Sequence, residues 1–307
     1  ALVYSQDVDN TDTRDVGIHN DAEIYYKGKG TTNGGLEIGF MVQLEAEGGN
    51  TDEKDHIDEN YVYVKGDFGK VEIGAENNAP YKQQVAAPKI FGWKTYDNNF
   101  ATWGGKVDGN KISNFDKPLM DGIDSDALKI NYYTPTINGF QFAASYTPDT
   151  SDTNGDTGLY SDTGSGTATA YGIKYSGKVG GMKVKASYGV NELDEDTGQT
   201  EAEDDAVGLS VSSGSITVGG NFQTVERAGA ERDILHYGVE YKLSKASKIG
   251  LIIHDQEEDN GDELEIIAVG GSTKLGAGTT LTYSFESLED DVDGDSEFFG
   301  VGLLLKF

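Results

Sequence analysis

The segment 35–47, GLEIGFMVQLEAE, alternates between apolar and polar residues. Leucine, isoleucine, phenylalanine, valine, leucine and alanine occupy its even positions, and most odd positions hold glutamate, glutamine or glycine. A period of two predicts a β-strand with one apolar and one polar face, because successive side chains of a strand point to opposite sides. The apolar face must then contact either a protein core or lipid.

The same alternation recurs from end to end and predicts sixteen strands. No linker and no long repeat divides the chain, so residues 1–307 are predicted to form a single domain. The approximate strand bounds are 1–6, 16–27, 35–47, 59–66, 69–75, 127–135, 140–148, 168–177, 181–191, 205–213, 215–224, 233–243, 248–256, 263–274, 279–287 and 296–307.

Short and long connections alternate between these strands. This predicts antiparallel neighbours with tight turns at one end of the sheet and loops at the other, as in transmembrane barrels. A Greek-key sandwich would mix loop lengths at both ends. A large soluble β-protein, such as a double sandwich or a propeller, explains the alternation but not the strict up-and-down order. The predicted long connections are 7–15, 48–58, 76–126, 149–167, 192–204, 225–232, 257–262 and 288–295.

The two faces of the strands then have inverted roles. A closed barrel of sixteen strands is too wide for its side chains to fill the lumen, so its inner face is wet. The even residues of 36–46 are therefore predicted to face lipid, and Glu37, Gln43, Glu45 and Glu47 to line water. The predicted fold class is all-β, a sixteen-stranded antiparallel transmembrane β-barrel with an inward-folded constriction loop.

Composition excludes several classes of function. With 53 acidic and 24 basic residues the net charge is −29, which repels nucleic acid and attracts cations. There is no cysteine, so disulfide and thiolate chemistry are excluded. Serine-hydrolase, nucleotide-binding and zinc-protease motifs are missing, and no enzyme activity is predicted. An outer-membrane hydrolase, the competing enzyme class, would need histidine and serine on the lipid-facing rows of neighbouring strands.

Three stretches resemble the trimeric, sixteen-stranded general diffusion porins of Gram-negative outer membranes, most closely the small acidic porins of purple and related bacteria. FFGVGLLLKF at 298–307 looks like their amphipathic last strand, which ends in phenylalanine. YVYVKGDFGKVEIGAEN at 61–77 looks like the hairpin before their inward-folded third loop, and 19–47 looks like their second and third strands. The arginine cluster that such porins usually place opposite that loop is not matched, since the chain has arginine only at 14, 227 and 232.

The resemblance implies a function and a set of partners. It implies a water-filled channel for passive diffusion of small hydrophilic solutes and ions, in the cell outer membrane of a Gram-negative bacterium. It also implies a homotrimer that contacts membrane lipid and lipopolysaccharide. No ATP site or redox centre is visible in the sequence, so no cofactor is required for transport down a gradient.

The connection 76–126 is the candidate constriction loop. It holds both tryptophans among other aromatic residues, which indicates that it packs against something. The resemblance implies that it folds into the lumen, and an outward-lying lid over a vestibule is the alternative. The candidate constriction residues are Asp97, Asp108, Asp116, Asp121, Asp124, Lys94, Trp93 and Trp103 on the loop, with Glu23, Glu37, Glu45, Lys183 and Lys185 on the wall.

An acidic loop facing a largely acidic wall raises the local concentration of cations, so cation preference is predicted. Fully solvated wall charges with weak selectivity are the alternative. A substrate-specific sugar channel is a further alternative, which would need an aromatic track that Trp93, Tyr96 and Trp103 could begin.

Two acidic stretches, DTSDTNGDTG at 149–158 and EDDVDGDSE at 289–297, space carboxylates as calcium loops do. Neither has the EF-hand spacing. The hypothesis is that Ca²⁺ relieves repulsion among crowded outer loops, and a merely solvated acidic rim is the alternative. The candidate metal ligands are Asp152, Asn154, Asp156, Asp291, Asp293 and Asp295.

Overall fold

The fold is known from a computed structural model that describes residues 2–7, 16–19, 22–46, 57–91, 106–107, 110–111, 120, 122–150, 166–194, 201–292 and 294–306. The first half of the chain holds β1 (Leu2–Asp7), β2 (Val16–His19), β3 (Glu23–Thr31), β4 (Glu37–Glu45), β5 (Ile57–Gly66), β6 (Gly69–Ala75), α1 (Ala79–Gln83), β7 (Lys106–Val107), β8 (Asn110–Lys111), β9 (Leu128–Tyr133) and β10 (Phe140–Thr147). The second half holds β11 (Thr167–Val179), β12 (Met182–Asp194), β13 (Ala202–Ser213), β14 (Ile216–Arg227), β15 (Ala230–Lys242), β16 (Ser247–Glu258), β17 (Glu263–Gly276), β18 (Thr279–Asp290) and β19 (Ser296–Leu305).

The fold is an all-β antiparallel sheet. Within the described residues, 17 strands belong to this sheet, and the two-residue strands β7 and β8 pair with each other. From β3 to β19 each strand of the sheet pairs with the next one along the chain, β6 passing directly to β9. The first strand pairs with the last, Leu2 opposite Gly302, and also with β2, Leu2 opposite His19.

Most predicted strand positions are confirmed, and β6 at Gly69–Ala75 has the predicted bounds. The predicted count of sixteen is not reproduced, because the predicted strand 16–27 is divided into β2 and β3. The helix α1 lies inside the predicted connection 76–126, where proline stands at its first turn and Asn78 caps its N-terminus.

Two of the connections predicted to be long, 225–232 and 257–262, are short in the structure. The predicted loop 225–232 is a tight turn, since β14 ends at Arg227 and β15 begins at Ala230. Ala228 and Gly229, with φ of 58° and 77°, form the connection, as in the two-residue turns that match the twist of a hairpin. The predicted loop 257–262 is likewise short, because β16 continues to Glu258 and β17 begins at Glu263. In both hairpins the strands extend past their apolar residues and include acidic residues that the sequence pattern had predicted to be in loops.

Burial across the sheet is inverted relative to a soluble protein. On β4, Ile38 and Phe40 are exposed, whereas Met41 and Gln43 are buried, which confirms the predicted orientation of this strand. On β15, Leu235 and Tyr237 are exposed while His236 between them is buried. The outer rows are therefore apolar and the inner rows are rich in polar side chains and glycine, the arrangement that lipid outside and water inside require. No helix in the described part of the chain is long and apolar enough to cross a membrane.

The orientation of β13 and β14 predicts an asymmetric response to charge. Val207 is at mid-strand on the outer face of β13 and is 51% exposed, so Val207→Arg is expected to lower the free energy of unfolding by about 2–4 kcal/mol. Thr217→Arg on the inner row of β14, opposite Glu240, is the matched control and should cost much less. Urea unfolding in lipid vesicles, followed by circular dichroism, measures both. Equal losses would contradict the assigned faces.

Candidate pore constriction

The residues 79–91, here called the inner segment, fold back against the inner face of the sheet. Asn78 Oδ1 accepts a hydrogen bond from Tyr81 N at 2.9 Å and starts α1. Beyond α1, the chain continues without regular structure to Phe91. Ala79 and Ile90 are completely buried and Phe91 is 3% exposed. The beginning of the predicted constriction loop therefore packs on the wall, as an inward-folded loop must.

Asp124 is an anchor for this segment. Its Oδ1 accepts hydrogen bonds from Asn78 Nδ2 at 2.9 Å and Asn191 Nδ2 at 3.0 Å, and its Oδ2 accepts one from Thr147 Oγ1 at 2.8 Å. The residue is 2% exposed. The sequence placed Asp124 on an acidic edge of the pore, but its carboxylate is buried between the start of α1 and strands β10 and β12.

Lys129 on β9 completes this anchor. Its ammonium donates to the carbonyl oxygens of Ser125 at 2.7 Å, Ala127 at 2.8 Å and Glu76, and lies 3.6 Å from Asp124 Oδ2. Its side chain has no exposed surface. A buried ammonium needs this density of acceptors, because an unpaired charge is costly to bury. Lys129 thus holds the two ends of the predicted loop 76–126 together.

The acidic wall lies on β3 to β5. Glu23 and Glu45 are directly opposite each other in the β3–β4 ladder, and both are half-buried. Next to them Gln43 donates to Asp58 at 2.9 Å, and Asn77 donates to Glu59 at 2.6 Å. The structure therefore brings together two of the three predicted wall glutamates and adds two carboxylates that the sequence did not single out.

Glu37, the third predicted wall glutamate, is in a different place. It lies at the turn end of β4, about 27 Å along the strand from Glu45 at 3.4 Å per residue. Its carboxylate is 3.3 Å from Lys29 Nζ and accepts a hydrogen bond from Tyr63 at 3.1 Å. Glu37 and Glu45 therefore do not contribute to one acidic patch.

A lysine of the inner segment pairs with carboxylates next to the acidic wall. Lys82 Nζ is 3.1 Å from Glu72 Oε2, forms an ion pair with Glu76, and lies 4.5 Å from the ring centre of Tyr61. Desolvation lowers the pKa of Lys82, and the carboxylate of Glu72 opposes that shift. Lys70 forms a second ion pair with Glu72. These pairs neutralise the carboxylates where α1 meets β6, beside the acidic wall.

A basic patch lies on the inner rows of β11 and β12. Lys183 and Lys185, both predicted, are exposed, with Lys178 opposite Lys183 and Ser176 opposite Lys185. Lys174 is on the same inner row as Lys178, so four lysines share this part of the wall. The motif KVGGMKVK at 178–185 has the period-two spacing that could have indicated the patch from sequence.

Several predicted residues lie outside the described part of the chain. Asp291 and Asp295 are described and are exposed near the turn after β18. Among the residues with described positions, no three histidine or acidic side chains converge as a metal site. The candidates outside the described residues are Trp93, Lys94, Asp97, Trp103, Asp108, Asp116, Asp121, Asp152, Asn154, Asp156 and Asp293.

The Asp124 anchor predicts a loss of stability on its removal. Asp124→Asn keeps the shape of the side chain but replaces one of its two acceptor oxygens with an amide nitrogen. That nitrogen is a donor and would face other donors. We expect the free energy of unfolding to fall by roughly 1–3 kcal/mol, with faster proteolysis after Phe91. Asp67→Asn in the exposed β5–β6 turn is the control. Denaturant unfolding and limited proteolysis measure the two effects, and a variant as stable as the parent would refute the anchoring role.

Comparison with known proteins identifies the family. A sequence profile described as Gram-negative porin matches residues 1–293. Among solved structures, the anion-selective porin from Comamonas acidovorans has a TM-score of 0.69 at 16% identity, over 98% of this chain and 95% of that one. The trimer form of OmpT, an outer membrane protein of Vibrio cholerae, has a TM-score of 0.65 at 12% identity, over 98% and 95% of the two chains. These low identities show the fold alone.

An uncharacterised protein of Rickettsia prowazekii is 31% identical over 112 residues, which is 32% of this chain and 26% of that protein. The match thus spans about a quarter of the length of the curated relatives. The family assignment rests on the profile, which covers nearly the whole chain. The chain belongs to the Gram-negative porin family and is a protein of the bacterial outer membrane.

Proposed function

We propose that this chain forms a water-filled channel through which small hydrophilic solutes and ions diffuse passively, with cations favoured. The observation that carries the proposal is the inverted burial of the sheet, apolar outside and polar inside, in a member of the porin family. No catalytic step is involved, because diffusion down a gradient needs none.

The proposed channel is a closed barrel with sixteen membrane spans. Its closure is supported by β1, which pairs with β19 on one side and β2 on the other. The sixteen spans result if β2 and β3 are two parts of a single span, as the predicted strand 16–27 has them. A barrel of this size leaves an aqueous lumen that the inner segment narrows.

Two parts of the wall act oppositely on permeating ions. Glu23, Glu45 and Asp58 form an acidic surface on β3 to β5, whereas Lys183 and Lys185 belong to the basic patch on β11 and β12. We propose that the acidic side prevails, because the chain carries a net charge of −29 and its candidate loop adds further aspartates. The anion selectivity of the Comamonas porin belongs to a protein that is only 16% identical to this chain, a similarity that shows the fold alone.

Reversal potential across a planar bilayer under a salt gradient tests the proposal. The native channel should favour cations, and the double variant Glu23→Gln/Glu45→Gln should lower that preference without abolishing conductance. The control Asp255→Asn/Glu257→Gln removes the same charge from the outer face of β16 and should change the cation preference little. Replacing Asp97, Asp108 and Asp121 together with asparagine should also lower the cation preference, as the wall variant does.

The outcomes separate the alternatives. A native channel that prefers anions overturns the assigned cation preference. A channel that passes one sugar and excludes others of its size replaces general diffusion with a substrate-specific function. No conductance at all, from correctly folded protein, would refute the channel itself.

We also propose that the channel is a homotrimer in contact with membrane lipid and lipopolysaccharide. The trimer form of the Vibrio cholerae protein supports this by analogy of fold. The exposed apolar rows on β3 and β4, including Ile24, Ile38 and Phe40, offer a surface for a second copy or for lipid. A mass of one chain in mild detergent at every concentration would refute the trimer.

Calcium at the outer rim is the remaining part of the proposal. On the outer faces of β12 to β15, Glu192, Glu203, Glu226 and Glu231 are successive register partners and are exposed. Like charges directly opposite one another destabilise a sheet. Divalent cations would relieve this repulsion and bridge the carboxylates to anionic lipopolysaccharide, loosely rather than in a built metal site.

Chelation tests the calcium proposal. Removing divalent cations with EDTA at low salt should lower the melting temperature and increase protease cleavage in 149–167, 192–204 or 288–295. Glu203→Gln/Glu226→Gln should reduce the sensitivity to EDTA, because it removes two neighbouring charges. An unchanged melting curve on chelation leaves the rim merely solvated.

A further inference from the structure

The inner segment crosses the inner wall of many strands in sequence. It begins at β10, where Ala79 N donates to Ser145 Oγ at 2.7 Å. On β12, Ser187 Oγ accepts from Val85 N at 2.8 Å, and on β17, Ser272 Oγ donates to Ile90 O at 2.9 Å. Lys248 of β16 also donates to the carbonyl of Lys89. The segment therefore runs around the wall from β10 to β17, fixed through its own backbone.

A row of glycines lies under this path, and we call it the glycine track. It consists of one inner-row glycine from each of β11, β12, β13, β14, β16 and β17. Gly172 and Gly189 are register partners, and so are Gly250 and Gly270. A side chain added at any of them would meet the inner segment. The members are Gly172, Gly189, Gly208, Gly219, Gly250 and Gly270.

Gly208 is the tightest point of the track. A Cβ there would overlap the carbonyl oxygen of Val85 and lie 2.8 Å from its carbonyl carbon, which are backbone atoms that no rotamer change can move. Gly208 is the register partner of Ser187, which holds the amide of the same Val85. At Gly219 the approach is milder, since a Cβ would lie 3.2 Å from Ala86 O.

The inner segment has little slack between these contacts. From β13 under Val85 to β17 under Phe91 the wall covers four strand spacings, about 19 Å at 4.8 Å each. Six residues reach about 20–22 Å when fully extended. A segment close to full extension cannot bulge along the wall, so a displacement at Gly208 must move its backbone away from the wall and towards the lumen.

We propose that the glycine track sets the width of the channel by allowing the inner segment to lie directly on the wall. The track glycines are positioning residues, because they act on permeating solutes through the segment above them. This inference rests on the proposed channel function, and it adds the residues that determine the size limit. It depends on the volume of each side chain and not on its charge.

The series Gly208→Ala and Gly208→Val tests the proposal, with Gly219→Ala as a milder second site. Single-channel conductance is measured in 1 M salt, where charges are screened over about 3 Å, together with the size of neutral polyethylene glycol that enters the pore. Gly30→Ala on β3 is the control, because a Cβ there meets nothing within 4 Å. We expect conductance and entry size to fall at Gly208→Ala, to fall further at Gly208→Val, and to stay at the parental value in Gly30→Ala.

A purely structural role would lower stability and leave the open channel of the surviving protein unchanged. Unchanged or increased conductance in folded Gly208→Ala therefore overturns the inference. Should that variant fail to insert, Gly219→Ala decides by the same criterion, with a smaller fall expected. A parent protein that conducts nothing refutes the channel function itself, whereas a conducting parent with unaltered track variants refutes this inference alone.

Discussion

Every backbone polar group of a strand in lipid must form its hydrogen bond within the protein, because the hydrocarbon offers none. The continuous antiparallel pairing from β3 to β19, and the pairing of β1 with both β19 and β2, answer this constraint. Once the ladders satisfy the backbone, apolar side chains face lipid and polar side chains face water. Leu235 and Tyr237 point outward, and the polar His236 between them points inward. The inversion of burial follows because lipid lies outside the paired strands and water inside.

The same requirement governs the inner segment, which has no ladder of its own. Its amides and carbonyls bond to wall side chains instead, as Val85 N does to Ser187 and Ile90 O to Ser272. Such bonds need the backbone close to the wall, and glycines such as Gly208 permit that approach. At the far end of the loop, Asp124 and Lys129 compensate each other's burial. Small and polar wall residues therefore decide where the segment lies.

Charge on the inner wall is divided rather than uniform. Glu23 and Glu45 lie side by side at the loop end of β3 and β4, whereas Lys178 and Lys183 face each other at the turn end of β11 and β12. Beside the acidic surface, Lys82 of the inner segment pairs with Glu72 of β6 and neutralises it. The wall charges that keep contact with water are therefore carboxylates in one region and lysines in another, because buried pairs such as Asp124 with Lys129 cancel locally.

Motif-like stretches such as 61–77 indicated the family from the sequence. Most strands and their faces could also be predicted, because alternation between neighbouring residues is a local property of any strand. The bounds of β6 and the outward position of Phe40 could be predicted for this reason. Which distant residues meet depends instead on how the whole chain packs. Asp124 was predicted as a pore carboxylate, yet it contacts Asn78 and Asn191, 46 and 67 residues away, since strand register and the path of the inner segment bring them together. The separation of Glu37 from Glu45 and the shortening of the turn at Ala228 likewise depend on how far paired strands extend, which is fixed only when neighbouring strands are in place.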